Sequence, residues 1–417
     1  MKNYLVNNCF PIGIYNGPQI DNGTNFINPK FVKYIKDCHI NFVVRGESYD
    51  TEYGKKLVKL YDEYGIGYFI EDARIKKIDD NNYCAEKFKE YLSEYKDNPC
   101  FLGPYFADEP NMTEIDKYAK YFSLFRDSEI KGTPYVNLLP SCGDNMLNPA
   151  NPDFTFSEYA ETYIKKCGFK FLSYDHYLFC TGLLNKGVAY SYTYIKDLNA
   201  ASVLSKKYGI PFWAFAACGG QWQAPTVAED YYPNKRQFEY SVFIALVFGA
   251  KGIQYFPFLQ PSFFYSAANS YKVNGMISYN GKPNKWYYYA KKINSFIIDN
   301  NDIFVNTSHK KVMFLGGSAV AFDEGGVILP DNKYTNISYA ESEHAIVGIF
   351  DYKGKECYYI LNNSFNEKCC VNFRFKDKFD FDLITFGEKN NKIYVAENGK
   401  LISLKLNASG FTLLVRK

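Results

Sequence analysis

Apolar positions along the chain follow two rhythms that take turns. Short, almost continuous apolar runs cover 11–15, 40–44, 67–70, 101–106, 135–139, 169–174, 211–216 and 252–256. Between them lie longer stretches in which apolar residues recur at helical spacing. Phe88, Tyr91, Leu92 and Tyr95 fall at i, i+3, i+4 and i+7, and Tyr118, Ala119, Phe122 and Phe125 nearly so, giving each stretch one apolar stripe. Strand-like and helix-like segments alternating eight times predict βα units around a parallel sheet closed as an eight-stranded (β/α) barrel. Gly65, Gly168, Gly209 and Gly252 stand before the next strand, where a left-handed helix end would turn the chain. Residues 285–299 read as a closing helix, with Trp286, Tyr289, Ile293 and Phe296 on one face.

From about Asp302 the helical spacing disappears. Strand-like runs follow at 312–315, 345–351, 356–361, 370–375, 381–386, 393–396, 401–406 and 410–415, separated by turn residues such as Tyr-Lys-Gly-Lys at 352–355 and Glu-Asn-Gly-Lys at 397–400. This pattern predicts a small antiparallel β-sandwich. The expected organisation is therefore a catalytic (β/α)8 TIM barrel over 1–300 and an all-β domain over 301–417. No low-complexity linker separates them, so the two are expected to pack together.

Composition narrows the function. The 417 residues suit a barrel of about 250 residues plus a domain of about 100. With 48 Lys and Arg against 45 Asp and Glu, the net charge of +3 offers no field for a polyanion, so neither nucleic acid nor a membrane surface is the expected partner. No run approaches 18 apolar residues, which excludes a spanning helix. Aromatic residues reach 19%, in a chain also rich in Lys, Asn and Ile. Most rings are therefore expected to replace Leu in ordinary cores, with a few left as sugar-stacking platforms. The 11 cysteines are odd in number and form no Cys-x-x-Cys pair. Cys100, Cys167, Cys218 and Cys357 lie in apolar or strand-like stretches, and Cys369 and Cys370 would face opposite sides of a strand. Free thiols in a reducing compartment are expected. Only 4 His occur, with no His-Glu-x-x-His or His-x-His, so neither a metal nor an organic cofactor is implied. Residues 1–8 carry one Lys and no apolar core of a signal peptide, so a cytoplasmic protein is expected unless a leader has been removed. Oligomeric state leaves no mark on the pattern.

In a (β/α) barrel the reacting groups stand at the C-terminal ends of the strands. That rule selects Arg45; Glu71, Asp72 and Arg74; Asp108 and Glu109; Asp175, His176 and Tyr177; Gln221 and Trp222; and Gln254. Carboxylates beside arginines, amides and rings are what glycosidic chemistry requires. One carboxylic acid protonates the leaving oxygen, and a second group stabilises or attacks the oxocarbenium-like carbon. Glu109 and Asp175 are the candidate pair, with Asp108 and the aromatic run before it placed to keep Glu109 protonated. Local roles compete. Asp108 and Glu109 precede a helix, where acidic residues suit the dipole and Thr113-x-x-Asp116 can help to cap. His176 can hold a backbone carbonyl, and Arg45 can pair with Glu47 or Glu71. Trp213, inside its strand, reads as core, whereas Trp222, beyond it, reads as a sugar platform.

The segment FLGPYFADEPN resembles the fourth-strand signature of the large retaining clan of (β/α)-barrel glycosidases, in which Asn-Glu-Pro closes the strand. Asp108-Glu109-Pro110 takes that place, so the resemblance implies an acid/base role for Glu109. SYDHY, GIPFWAFAACGGQWQAPT and FGAKGIQYFPF resemble barrels of a β-galactosidase-like group, and LNASGFTLLV resembles the last strand of their C-terminal β domain. The clan implies a nucleophilic Glu after strand seven, but Gln221, Trp222 and Gln223 stand there. Two replacements are open. Asp175 can serve as nucleophile or base. Alternatively, Asp108 can orient a substrate 2-acetamido group, since Asp108-Glu109 resembles the pairing in families acting on N-acetylhexosamines and SYDHY is similar to the strand-six Tyr-Asp of chitinase-like barrels. The reading is a glycosidase of a terminal hexose or N-acetylhexosamine. Arg45, Glu71, Asp72, His176, Tyr177, Gln221, Trp222 and Gln254 would shape its pocket; a non-catalytic carbohydrate-binding barrel is the alternative.

Overall fold

The computed structural model describes residues 8–21, 23–78, 85–142, 147–151, 153–179, 192–219, 233–259, 275–278, 280–316, 327–328, 335–388, 392–396 and 400–417. Eight parallel strands close into a barrel in chain order. They are β1 (Ile12–Tyr15), β2 (Phe42–Val44), β3 (Gly67–Ile70), β4 (Phe101–Asp108), β5 (Tyr135–Leu138), β6 (Leu172–Tyr174), β7 (Phe212–Ala217) and β8 (Ile253–Phe256). Strand β8 pairs with β1 to complete the cylinder. All eight predicted runs are strands of this barrel, because strands covered by helices outside and packed side chains inside must be apolar on both faces. The filling is unusually aromatic: Tyr15, Phe42, Phe69, Tyr105, Tyr135, Phe171, Trp213 and Phe215 pack with Val44 in the lumen. Trp213 stacks on Phe171 with centroids 4.1 Å apart and is core, as its place in the strand implied. Glycines make room for these rings, since a Cβ on Gly13 would lie 2.2 Å from the Phe42 ring.

The helices that alternate with the strands are α1 (Pro29–Asp37), α2 (Glu52–Tyr64), α3 (Ala85–Ser93), α4 (Ile115–Asp127), α5 (Phe156–Tyr163), α6 (Tyr192–Tyr208), α7 (Lys235–Val247) and α8 (Lys285–Asp299). Thr155 with Glu158 and Asn234 with Gln237 form capping boxes, each meeting two backbone N–H groups left without helical partners. Gly65, Gly168 and Gly209 adopt positive φ at helix ends, as expected. Gly252 does not. It is required by space, because a Cβ there would lie 2.5 Å from the Trp213 ring.

After a short helix (Asn301–Asn306), the chain forms two further sheets. In order, the strands are β9 (Thr307–Gly316), β10 (Val327–Ile328), β11 (Ile337–Glu341), β12 (His344–Tyr352), β13 (Lys355–Asn362), β14 (Cys369–Phe375), β15 (Phe379–Thr385), β16 (Lys392–Ala396), β17 (Ile402–Leu406) and β18 (Phe411–Arg416). The larger sheet has the order β10-β9-β12-β13-β18-β15-β16 and the smaller β11-β14-β17. Pairing is antiparallel apart from β9 with β10. Each run predicted here is a strand; β10 and β11 were not foreseen, the first being two residues long and the second alternating Ile-Ser-Tyr-Ala-Glu.

The larger sheet is buried on both sides. Tyr358, Ile360 and Leu414 face the smaller sheet, while Cys357, Tyr359, Leu361, Phe411 and Leu413 belong to the core shared with the barrel helices. Phe411 stacks on Phe243 of α7 at 4.3 Å and 4°. Helix α7 is consequently apolar almost all round, with Phe238 and every residue from Tyr240 to Val247 buried. Lys251, buried at the same junction, donates to the carbonyl oxygens of Phe304, at 2.8 Å, and Thr307. Among the described residues, no helix is long and apolar enough to cross a membrane, and eight cysteines, among them Cys38, Cys100, Cys167 and Cys357, are free thiols.

Candidate active site

Strand β4 ends in Asp108, and the next residue, Glu109, leaves it with φ 49. A non-glycine residue in this left-handed region is held there by its surroundings. The Glu109 N–H donates to the Asn137 carbonyl at 2.8 Å. Tyr159 and Tyr163 of α5 donate to the Pro110 and Asn111 carbonyls, the latter at 2.7 Å. Capping is handled elsewhere, by Asn111 in a box with Glu114, so neither Asp108 nor Glu109 serves as the cap.

Asp108, Glu109 and Asp175 meet at this mouth. In register across three strands, Asp108 pairs with Asn137 and Asn137 with Ser173, which places Asp175 one inward-facing step above Ser173. The Asn137 amide donates to Asp175 Oδ1 at 2.7 Å and to Asp108 Oδ1 at 3.2 Å. Those two oxygens are thus at most the sum of the two lengths apart, under about 6 Å, a spacing suited to carboxyls that act on one sugar. Glu109 and Asp175 lie close enough for each to shift the proton affinity of the other.

The electrostatics follow from this crowding. Asp108 and Glu109 keep exposed edges at the open mouth, but protein encloses their other sides. Desolvation, then the charge of Asp108, raises the Glu109 carboxyl to about 7, while contact with Asp175 pulls it down. Asp175 is held well above the usual carboxylate range by burial, then by Glu109 and Asp108. Burial raises Asp108 too, opposed by Tyr15, Asn137, Arg45 and Lys76. Such a cluster keeps protons at neutral pH, which is the property of an acid catalyst.

The other predicted residues are distributed less evenly. Arg45, with φ 61, pairs through Nε with Glu71 at 2.7 Å rather than with Glu47, and Lys76 also pairs with Glu71. Arg45 and Lys76 both lie over the Tyr105 ring, at 5.7 and 5.1 Å. Asp72 is buried, caps the short helix Ala73–Lys76 and binds Arg74 at 2.8 Å, so its role there is structural. His176 points away from the mouth: its Nδ1 lies 2.8 Å from Asp197 Oδ2, and the ring packs on Tyr194. Burial opposes its charge, but Asp197 and Cys142 outweigh burial and lift it to about 9. Tyr177 packs against Phe215 and Phe256 at the top of the lumen. Gln254 is fully buried below the carboxyls, where its Nε2 donates to Ser173 at 2.8 Å. Gln221 and Trp222 lie outside the described residues.

Asn137, Ser173, Tyr15, Tyr105 and Lys76 are the neighbours that strand-end reasoning missed. A signal existed for two of them: Asn137 and Ser173 interrupt otherwise apolar strands. No group of three His, Cys, Asp or Glu among the described residues could hold a metal ion.

A closed parallel barrel with three carboxyls at its C-terminal mouth, followed by a β-sandwich, defines a (β/α)8-barrel protein of the architecture used by glycoside hydrolases. The chain is similar in fold to a glycoside hydrolase family 5 structure from Bacteroides vulgatus, at 10% identity and TM-score 0.58 over 97% of this chain and 89% of that one. It is also similar to a noncanonic maltogenic alpha-amylase from Thermotoga neapolitana, at 12% identity and TM-score 0.54 over 98% and 99%. For a beta-galactosidase from the psychrophilic Marinomonas ef1 the values are 9% identity and TM-score 0.50 over 72% of this chain and 63% of that one. At these identities the likeness is one of fold. No protein-family model and no curated protein matches the sequence.

Proposed function

We propose that the protein is a glycoside hydrolase acting on a terminal hexose or N-acetylhexosamine, with Glu109 as general acid/base and Asp175 as the second carboxylate. The observation that carries this reading is the carboxyl cluster at the barrel mouth, where Asp108 and Asp175 accept from one Asn137 amide and Glu109 follows Asp108, its carboxyl raised to about 7 by burial and then by Asp108. Carboxyls in contact share protons and titrate as a unit. With one proton between them, its transfer to Glu109 leaves Asp175 as a carboxylate that accepts the Asn137 N–H at 2.7 Å. Glu109 then protonates the leaving oxygen, and Asp175 faces the positive charge that grows on the anomeric carbon. In the second half, Glu109 removes a proton from the incoming water. Arg45 and Tyr177 at the rim, with Trp222, are proposed to hold the sugar.

A second reading has a specific observation in its favour. Asp108 adjoins Glu109 and shares the Asn137 amide with Asp175, so a third carboxyl stands beside the acid where it can hold a substrate amide. In substrate-assisted hydrolysis Asp108 orients a 2-acetamido group, and that group supplies the attacking oxygen. A panel of aryl hexosides and aryl N-acetylhexosaminides separates the two, because only the second reading requires the acetamide. In either case Glu109→Gln is expected to lower turnover by about 10²–10⁴-fold with folding intact. Unchanged hydrolysis in that variant removes Glu109 from the reaction. Sugar binding by the unaltered protein with no turnover across the panel marks a carbohydrate-binding barrel instead.

A further inference from the structure

We propose that Asn137 is a positioning residue for the carboxyl cluster, its amide tying Asp108 and Asp175 to one donor group whose direction is set by Ser173, Gln254 and Tyr135. The proposal assigns a role to residues outside the hydrolytic pair, and it rests on the hydrolase reading only for its effect on turnover.

Asn137 is 1% exposed in the middle strand of the three that carry the site. Both of its amide N–H groups are used, one on each aspartate, and its Oδ1 accepts from Ser173 Oγ at 3.1 Å. Ser173 accepts from Gln254 Nε2 at 2.8 Å, and Gln254 Oε1 accepts from Tyr135 at 2.7 Å. The Tyr135 and Ser173 hydroxyls also lie 2.7 Å apart, where either can donate, so the four side chains form one connected network and each member constrains the next. Reversing the Asn137 amide would present its oxygen to both carboxyls and withdraw the two N–H donors from them. Strands β5, β6 and β8 anchor the four side chains, so the amide is fixed from three directions.

Other groups face the cluster from every side: Glu109 after β4, Arg45 after β2, Lys76 after β3, Tyr15 on β1, Tyr135 on β5 and Tyr159 on α5. The charges of Arg45 and Lys76 act on Asp108, and that of Glu109 acts on Asp175. Asn137 alone among the described residues donates a hydrogen bond to both aspartates. Hydrogen bonds to the ionised form lower a carboxyl, and Asn137 acts in that sense on each.

The test reads the aspartates directly, without substrate. Protein carrying ¹³C-carboxyl aspartate is titrated between about pH 4 and pH 9, with the two signals assigned through Asp108→Asn and Asp175→Asn. Asn137→Ala is expected to move both midpoints upward by about half a pH unit or more, roughly a threefold gain in proton affinity. Ser173→Ala, which leaves the amide in place but frees its orientation, should move them the same way by less. With an aryl glycoside, Asn137→Ala should lower kcat at least about tenfold while KM changes less than about threefold. Unmoved aspartate midpoints in folded Asn137→Ala overturn the proposal. Should that variant not fold, unmoved midpoints in Ser173→Ala do so. Expected titrations in a protein that hydrolyses no glycoside refute the hydrolase reading and leave the role of Asn137 intact.

Discussion

Of three non-glycine residues with left-handed backbone directly after barrel strands, Asn16, Arg45 and Glu109, the last two hold it at a cost of about 1–2 kcal/mol each. Both carry side chains of the candidate site, consistent with local strain kept where placement matters. Glu109 also illustrates how a residue and its neighbour divide labour. Burial, and then repulsion of a second negative charge by Asp108, let Glu109 hold its proton to about pH 7. An acid catalyst works only while protonated, so kcat/KM should fall as pH rises through about 7. Asp108→Asn removes the repulsion, so the same fall should begin at lower pH; a limb that stays in place or moves upward would separate Glu109 from the activity. At this scale the sequence was partly legible. Glu109, Asp175 and Arg45 were identifiable because strand ends are predictable from the apolar runs. Asn137 was visible only as a polar break in an apolar run, because nothing in Tyr-Val-Asn-Leu says which groups flank it across two other strands.

Among the elements, β4 carries most of the chemistry and depends on one glycine. Gly103 approaches the next strand so closely that a Cβ would lie 1.8 Å from the Thr133 carbonyl oxygen. Strand β4 is paired on both edges, with β3 and with β5, so its backbone cannot move without disturbing both neighbours. Gly103→Ala should therefore destabilise the protein by about 2–4 kcal/mol, measurable by denaturant unfolding, because the strand must shift or the clash must be borne. A midpoint within error of the unaltered protein would show that the approach can relax. Helix ends were legible where chemistry is local: Gly65, Gly168 and Gly209 turn the chain as their position implies. Gly252 looked the same and is different, because the reason for it is the Trp213 ring, a partner remote in sequence.

At the scale of the molecule, the two folded parts are joined by a broad apolar surface. The proposed division between residues 300 and 301 falls between α8 and the short helix Asn301–Asn306. Residues from both sides of it share one core, and Phe243 against Phe411 stands at its centre. Phe411 is also in contact range of Phe296 and Tyr359, so removing its ring empties space between rigid elements. Phe411→Ala should cost about 3–5 kcal/mol. Calorimetry should still show one transition, because loss at the junction weakens both parts together. Two separated transitions in the unaltered protein would indicate that barrel and sandwich fold independently.

The order of the barrel strands and of all but two sandwich strands followed from the sequence alone, since period and run length record whether a segment is covered on one face or two. Eight apolar runs became eight barrel strands, and the change of rhythm near Asp302 marked the sandwich. Partnership between distant side chains was decided only by the closed barrel and its register. Register placed Asn137 between Asp108 and Asp175, turned His176 to Asp197 and sank Gln254 beneath the mouth. Periodicity reports how one segment meets its surroundings, whereas a hydrogen bond or a shared proton needs the separation between segments, which exists only once the cylinder is closed.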